Sequence, residues 1–220
     1  MKKELFYFDV PSELIAQSPL SKRDASRLLV CHSPQGELRD EQFCHLPQIL
    51  NSVFPQKKIL LVANDSRVYP ARVRVRRKTG ARGEVFFLET GDEKKQFHCL
   101  LRPTSKLKPG EILYADSETH PGDLMPLFRV ESMDPPLVAL ADPHTSLQKI
   151  LNEFGEMPLP PYIQRDPHRV DSRIGEMDKE RYQTVYSHPI GSSAAPTAGL
   201  HFTDDVMASC ASAGISFAYV

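Results

Sequence analysis

Little in this sequence staples or anchors a chain. The four cysteines, Cys31, Cys44, Cys99 and Cys210, are scattered with no C-x-x-C pair. Such spacing is neither a zinc pattern nor a dense disulfide framework. The longest apolar runs, such as Ile59 to Ala63, reach about five residues, far short of the roughly 20 that a membrane helix needs. The basic start MKKELFYFDV has no apolar h-region behind it and does not read as a secretory signal. The expected compartment is a reducing cytoplasm. Standard site signatures are missing as well. There is no G-x-G-x-x-G, no Walker A, no H-E-x-x-H and no G-x-S-x-G. Net charge is nearly absent, at −1.

What is present is an ordinary globular composition, 40% hydrophobic and 25% charged over 220 residues. At roughly 150 residues per domain, that is one large domain or two small ones. The 19 prolines point to many turns and short strands. The small net charge hides an asymmetry. Residues 67–109 carry twelve basic and four acidic side chains, and residues 110–220 carry seven basic and sixteen acidic. The densest run holds Arg67, Arg72, Arg74, Arg76, Arg77, Lys78 and Arg82 with no acid between them. It reads either as a solvated face or as a surface for nucleic-acid phosphates.

Pro11 to Ala16 predicts a short helix. Arg27–Cys31 and Ile59–Ala63 predict buried strands. ArgValArgValArg at 72–76 alternates, with Val73 and Val75 on one face and Arg72, Arg74 and Arg76 on the other. Strand-like stretches follow at 84–89, 96–102, 111–114, 127–131 and 137–141. Turn signals separate them: Thr79-Gly80, Gly91-Asp92, Pro109-Gly110, Pro121-Gly122 and Pro135-Pro136. That spacing predicts an antiparallel barrel or sandwich over 72–142. Leu147, Ile150, Leu151 and Phe154 predict an amphipathic helix closed by Gly155 at C′. MPLPPYI at 157–163 is extended. Residues 166–180 read as a mobile polar loop. Thr203 caps a helix through Ser212, Gly214 ends it, and 215–220 is a strand. The chain stops on that apolar strand, which suggests a sequence cut short.

Three segments could carry chemistry. Asn64-Asp65-Ser66-Arg67 follows a strand, where α/β sheets place ligands, although Asn and Asp also simply cap turns. Ala194 to Thr203 is a small-residue loop entering a helix. Within it His201 is the plausible titrating group, or else a hydrogen-bonded structural histidine. Tyr182, Gln183 and Tyr186 could stack on a purine and read its edge, or lie half-buried in a strand. Arg102 and Lys106 add cations beside a turn.

FDVPSELIAQSPLSKRDASRLLV (8–30), NDSRVYPARV (64–73), RPTSKLKPG (102–110), MPLPPYI (157–163), ERYQTVY (180–186) and AAPTAGLHFT (194–203) together resemble the S-adenosylmethionine:tRNA ribosyltransferase-isomerase family of queuosine biosynthesis. The resemblance implies an α/β body (1–71 and 143–220) with an inserted antiparallel Greek-key β-barrel (72–142). It implies S-adenosyl-L-methionine as co-substrate, no metal, and tRNA carrying 7-aminomethyl-7-deazaguanine in its anticodon as partner. The implied reaction moves the ribosyl part of S-adenosylmethionine onto the aminomethyl group and isomerises it. Epoxyqueuosine-tRNA, adenine and methionine result.

On that reading His201 is the first candidate for acid/base work and Asp65 the second. Asn64, Tyr182, Gln183, Tyr186, Pro196, Thr197, Ala198, Gly199 and Phe202 bind the substrates. Arg67, Arg72, Arg74, Arg102 and Lys106 meet tRNA phosphates. Ser66 stands where the family commonly has Thr, and Gly191-Ser192-Ser193-Ala194 departs from a Gly-Ala-Val-Ala pattern. Family members continue past a strand like 215–220, so the body is expected to be incomplete, with an unpaired edge and apolar surface. The competing expectation is a non-catalytic remnant that at most binds tRNA.

Overall fold

The computed structural model describes residues 2–32, 36–89, 96–103, 106–116, 124–165 and 172–220. The turn signals at 91–92 and 121–122 and the first part of the 166–180 stretch lie outside these.

The amino-terminal arm is extended. In place of the helix expected at 11–16 there is one 3-10 turn, Ser12–Leu14, with no buried residue to hold a longer one. A hairpin follows, β1 (Arg27–His32) against β2 (Glu37–Gln42). Then come α1 (Leu46–Val53), β3 (Ile59–Ala63) and the short β4 (Arg67–Val68).

The next six strands close on themselves. They are β5 (Arg72–Arg77), β6 (Arg82–Phe87), β7 (Phe97–Arg102), β8 (Ile112–Ala115), β9 (Pro126–Met133) and β10 (Pro136–Leu140). Their order is β5-β6-β7-β10-β9-β8, and β8 pairs back onto β5, all antiparallel. The jump from β7 to β8 across two strands gives the Greek-key crossing. Alternation fills the interior. Val73, Val75, Val85, Phe87, Phe97, Cys99 and Leu101 point in and are buried. Phe87 sits against Phe97 and Phe128, at centroid distances of 6.1 and 5.2 Å. Each such phenylalanine contributes about 1.5–3 kcal/mol by leaving water. Gly110 has φ +84°, as the Pro109-Gly110 turn requires.

The barrel draws on residues past 142. Helix α2 (Leu147–Phe154) lays Leu147, Ile150 and Leu151 into the same core. The helix begins at Ser146, whose side chain accepts from Lys149 N. Gly155 then opens β11 (Gly155–Glu156), which pairs with the edge of β5. Gly155 is not a left-handed C′ residue, since its φ is −78°. It is glycine because a Cβ would strike the carbonyl oxygens of Leu151 and Pro70.

Residues 172–181 are helical rather than a loop, forming α3 (Ser172–Arg181). Arg165 fastens the stretch by a two-pronged ion pair to the buried Asp178, both contacts at 2.8 Å. A polar sequence thus forms a helix because tertiary ion pairing holds it, a signal no apolar period carries. Next are β12 (Ile190–Ser192), α4 (Asp204–Ser212) and β13 (Ile215–Tyr219). Thr203 caps α4 by accepting from Val206 N at 3.2 Å, and Gly214 ends it with φ +75°.

β13 pairs parallel to β3, from Ile215↔Ile59 to Tyr219↔Ala63. One face of this pair packs on Phe43, Val206 and Cys210, beneath α4 and α1. On the other face Leu60 and Val62 are 59% and 65% exposed. Parallel strands are normally covered on both faces, so this layer stands open on one side. No helix among the described residues is long and apolar enough to cross a membrane.

Candidate functional site

Segments far apart in sequence meet at the C-terminal ends of β3 and β13. Val220 N donates to Ala63 O at 3.0 Å, and Asp65 N donates to Val220 O at 3.3 Å. Asp65 O accepts from His188 N at 3.0 Å, and Arg67 N donates to Pro189 O at 2.7 Å. β12 then runs parallel to β4, Ile190 opposite Arg67. Asn64 caps its own turn, with Oδ1 accepting from Ser66 N at 2.8 Å. That is the turn role the residue type favours. The Asp65 carboxylate is half-buried and has no ion pair among the described residues.

The Tyr182–Tyr186 segment is the carboxy-terminal end of α3 and the turns after it, not a strand. Gln183 is committed to the fold. Its Oε1 accepts from Val68 N at 2.9 Å and its Nε2 donates to Val68 O at 2.6 Å. This side chain mimics a neighbouring strand for β4, so its amide is not a free reading edge. Tyr182 is buried among Val68, Met157 and Leu200. Burial pushes its phenol above the ordinary value, and an N–H from Ala195 partly offsets this. Tyr186 is buried too, edge-on to Phe202 at 6.1 Å and 5.7 Å from Tyr219. Burial pushes its phenol up, with Tyr219 adding to it. Neither ring offers an open face for a base, contrary to the stacking role expected for them.

Gly199 is where the loop needs no side chain. A Cβ there would collide with the Tyr186 hydroxyl and lie 2.8 Å from Thr184 Cγ2. Its neighbours Thr197 and Ala198 are exposed, and Pro196 and Phe202 are half-buried. The 3-10 turn Thr197–His201 carries them into α4.

His201 is half-buried at the end of that turn. Its ring lies 5.3 Å from Phe43, and its Nδ1 is 3.0 Å from Ser26 Oγ. Ser26 Oγ in turn donates to Arg23 O at 3.0 Å. Thr203 Oγ1 donates to Asp24 Oδ2 at 3.2 Å, a second tie between the same two segments. Among the described residues, no hydrogen bond or ion pair joins His201 to Asp65.

Arg23 locks this corner. Its guanidinium donates to the carbonyls of Glu180, Arg181, Gln183 and Leu200 at 2.9–3.1 Å. Burial, and then the charge of Arg181, lowers its pKa, although an arginine stays protonated throughout. The 23–26 turn lies inside the 8–30 segment that resembles the family, yet its residue types alone point to no role. Asp24 and Ser26 are common turn residues, and only the folded contact with 201–203 distinguishes them.

The basic strand meets acids rather than open solvent. Arg72 lies 3.6 Å from Glu84, Arg74 2.6 Å from Glu156, Arg76 2.9 Å from Asp116 and Arg77 2.5 Å from Glu111. Three of those acids come from the acidic second half of the sequence, so the linear asymmetry cancels in space around β5. Arg72 and Arg74 are therefore engaged within the barrel. Arg102 is 76% exposed at the side chain and only loosely near Glu84, at 3.8 Å. Arg67 and Lys106 are exposed and make no ion pair among the described residues.

A family model described as "Queuosine biosynthesis protein" matches residues 3–220. The S-adenosylmethionine:tRNA ribosyltransferase-isomerase of Xylella fastidiosa (strain 9a5c) is 38% identical over 224 residues, covering 100% of this chain and 58% of that protein. The protein of the same name from Legionella pneumophila (strain Paris) is 39% identical over 221 residues, covering 100% and 59%. The chain thus spans less than three fifths of the length of these curated relatives. A crystal structure of S-adenosylmethionine tRNA ribosyltransferase from Thermotoga maritima is 25% identical, covering 97% of this chain and 56% of that one, with a TM-score of 0.35. The match over residues 3–220 places this chain in the queuosine biosynthesis family.

Proposed function

We propose that the chain carries the S-adenosylmethionine-dependent tRNA ribosyltransferase-isomerase chemistry of its relatives. The observation that supports it most is convergence. Segments 64–69, 182–192 and 196–203 are separate in sequence, yet backbone pairing and the Gln183–Val68 bridge join the first two at one edge of the β3/β13 layer, and Tyr186 packs on Gly199 and Phe202 of the third. Ligands of open α/β sheets bind beyond the carboxyl ends of the strands, and Asp65 stands there at the end of β3.

In this reading the barrel of 72–142, with α2 and β11 packed on it, is inserted into a body made of 1–71 and the rest of 143–220. The substrates are S-adenosylmethionine and tRNA bearing 7-aminomethyl-7-deazaguanine. The ribosyl part of S-adenosylmethionine passes to the aminomethyl group and isomerises, and adenine and methionine leave as epoxyqueuosine-tRNA forms. A base is needed for protons on the amine and on the carbon beside the sulfonium, and His201 takes that role, with Asp65 second. Asn64, Thr197 and Ala198 are the site residues with exposed surface for substrate. Arg67, Arg102 and Lys106 meet phosphates.

The test is direct. The purified chain is mixed with S-adenosylmethionine and substrate tRNA, and released adenine is measured. Release that requires both substrates and disappears in His201→Ala is the expected result. Release at the parental rate in His201→Ala removes the base assignment. Binding of the anticodon stem-loop without adenine release would leave only a tRNA-binding role.

A further inference from the structure

We propose that Ser26 is a positioning residue that fixes the tautomer of His201, holding the proton on Nδ1 and leaving Nε2 as the proton acceptor. The inference rests on the reading of His201 as the base.

The argument is proton counting. A serine hydroxyl has one proton to give and can also accept. Ser26 Oγ lies 3.0 Å from Arg23 O, a carbonyl that can only accept, so a hydrogen bond between them uses the hydroxyl proton. The contact of 3.0 Å between Ser26 Oγ and His201 Nδ1 can then be a hydrogen bond only if Nδ1 carries the hydrogen. The proton on one ring nitrogen of a neutral imidazole determines which nitrogen has the free lone pair, here Nε2.

The chain of contacts behind Ser26 is fixed. Arg23 O also accepts from Ser26 N at 3.4 Å in the 3-10 turn, and Ser26 O accepts from Phe43 N at 2.9 Å. The Arg23 side chain is anchored on four carbonyls, one of them Leu200 O, next to His201 itself. Phe43 lies against the imidazole at 5.3 Å, so the ring is held by a face as well as by Nδ1. When Nε2 takes a proton from the substrate amine, the imidazolium keeps Nδ1–H on Ser26 Oγ, and no other proton has to move. A serine in this place orients the ring without adding a charge, unlike the carboxylate that supports many catalytic histidines.

The tautomer is read by long-range nitrogen–proton correlations on the 15N-labelled chain at a pH where the imidazole is neutral. The His201 signals are assigned by their loss in His201→Gln. The expected result is a dominant Nδ1–H form in the parent, loss of that preference in Ser26→Ala, and its return in Ser26→Thr, which keeps the hydroxyl. Adenine release should fall at least about tenfold in Ser26→Ala with the KM for S-adenosylmethionine little changed, and should recover in Ser26→Thr. An Nε2–H form in the parent overturns the proposal, even if Ser26→Ala fails to fold. So does an unchanged Nδ1–H form in Ser26→Ala. Full turnover by His201→Gln would sink the base reading alone, because the tautomer measurement does not depend on activity.

Discussion

Arg23 and Arg181 each grip the other's segment. Arg23 donates to the carbonyls around the end of α3, including Arg181 O at 3.0 Å. Arg181 donates back to Leu20 O at 2.8 Å and Ser21 O at 3.0 Å. Two like charges lie close together, and their terminal nitrogens donate to backbone carbonyls, while the Arg181 Nε is buried without a partner. The carboxy-terminal carbonyls of α3 carry partial negative charge, which favours the arrangement.

Replacing Arg23 by alanine should therefore destabilise the chain by about 2–4 kcal/mol, since several carbonyls lose a charged donor together. Arg23→Lys should recover little of this, because one ammonium cannot cover four carbonyls spread over a planar fork. Urea unfolding of the two variants measures both. Equal stability of Arg23→Ala and the parent would show that the contacts contribute nothing.

Gly199→Ala should cost about 1–3 kcal/mol through overpacking against the Tyr186 hydroxyl and Thr184. Tyr186→Phe removes the oxygen that the new methyl would meet. The double variant Gly199→Ala/Tyr186→Phe should then be more stable than the sum of the two single changes predicts. Strict additivity in thermal unfolding would mean the close approach is absent in solution.

The buried thiol of Cys99 is pushed up to about 12 by burial, and the phenol of Tyr69 is pushed up to about 12 by burial, with Glu89 adding to it. Both groups fold neutral. Their unfolded values are about 8.5 and 10. The unfolded chain therefore loses protons first as pH rises, and stability present below about pH 8.5 drains away between there and about 12. Cys99→Val should lose less stability than the parent between pH 8 and pH 10.5 (about two steps into that window), as read by urea midpoints. An identical loss in both would remove the thiol as a contributor.

Binding of the anticodon stem-loop should depend on Arg67, Arg102 and Lys106 more than on Arg72 and Arg74. Alanine at the first three should lower the log–log salt slope by roughly two to three. Arg72→Ala with Arg74→Ala should change the slope little, because those guanidiniums already face Glu84 and Glu156. The opposite ranking in salt titrations would show that the strand exchanges its carboxylates for phosphates.

Strands with strict alternation or short apolar runs were legible before folding. Ile59–Ala63 was found at its observed bounds, and 72–76 fell one residue short of β5. The period-2 signal is local, and so are the Thr203 cap and the Gly110 and Gly214 turns. What sequence concealed was long-range polar bonding. The polar stretch ending at Arg181 folds as a helix because Arg165, 13 residues before Asp178, and Arg23, 157 residues before Glu180, hold it. Gln183 and the two tyrosines carried residue types suited to base recognition. Their partners, Val68, Met157 and Phe202, lie beyond any local window. The residues beside His201 were inside a recognised segment, but nothing in their spacing points to a histidine 175 positions away.

The arginine side of β5 also acts as a ruler for the barrel. A slip of one residue against β6 or β8 would turn Val73 and Val75 outward and carry Arg72, Arg74 and Arg76 into the closed interior, away from Glu84, Asp116 and Glu156. A guanidinium lodged there without a carboxylate costs several kcal/mol, whereas each of these partly buried pairs adds little on its own once desolvation is set against attraction. The charges thus add little to how firmly the barrel closes, and a great deal to which of its neighbouring closures is allowed.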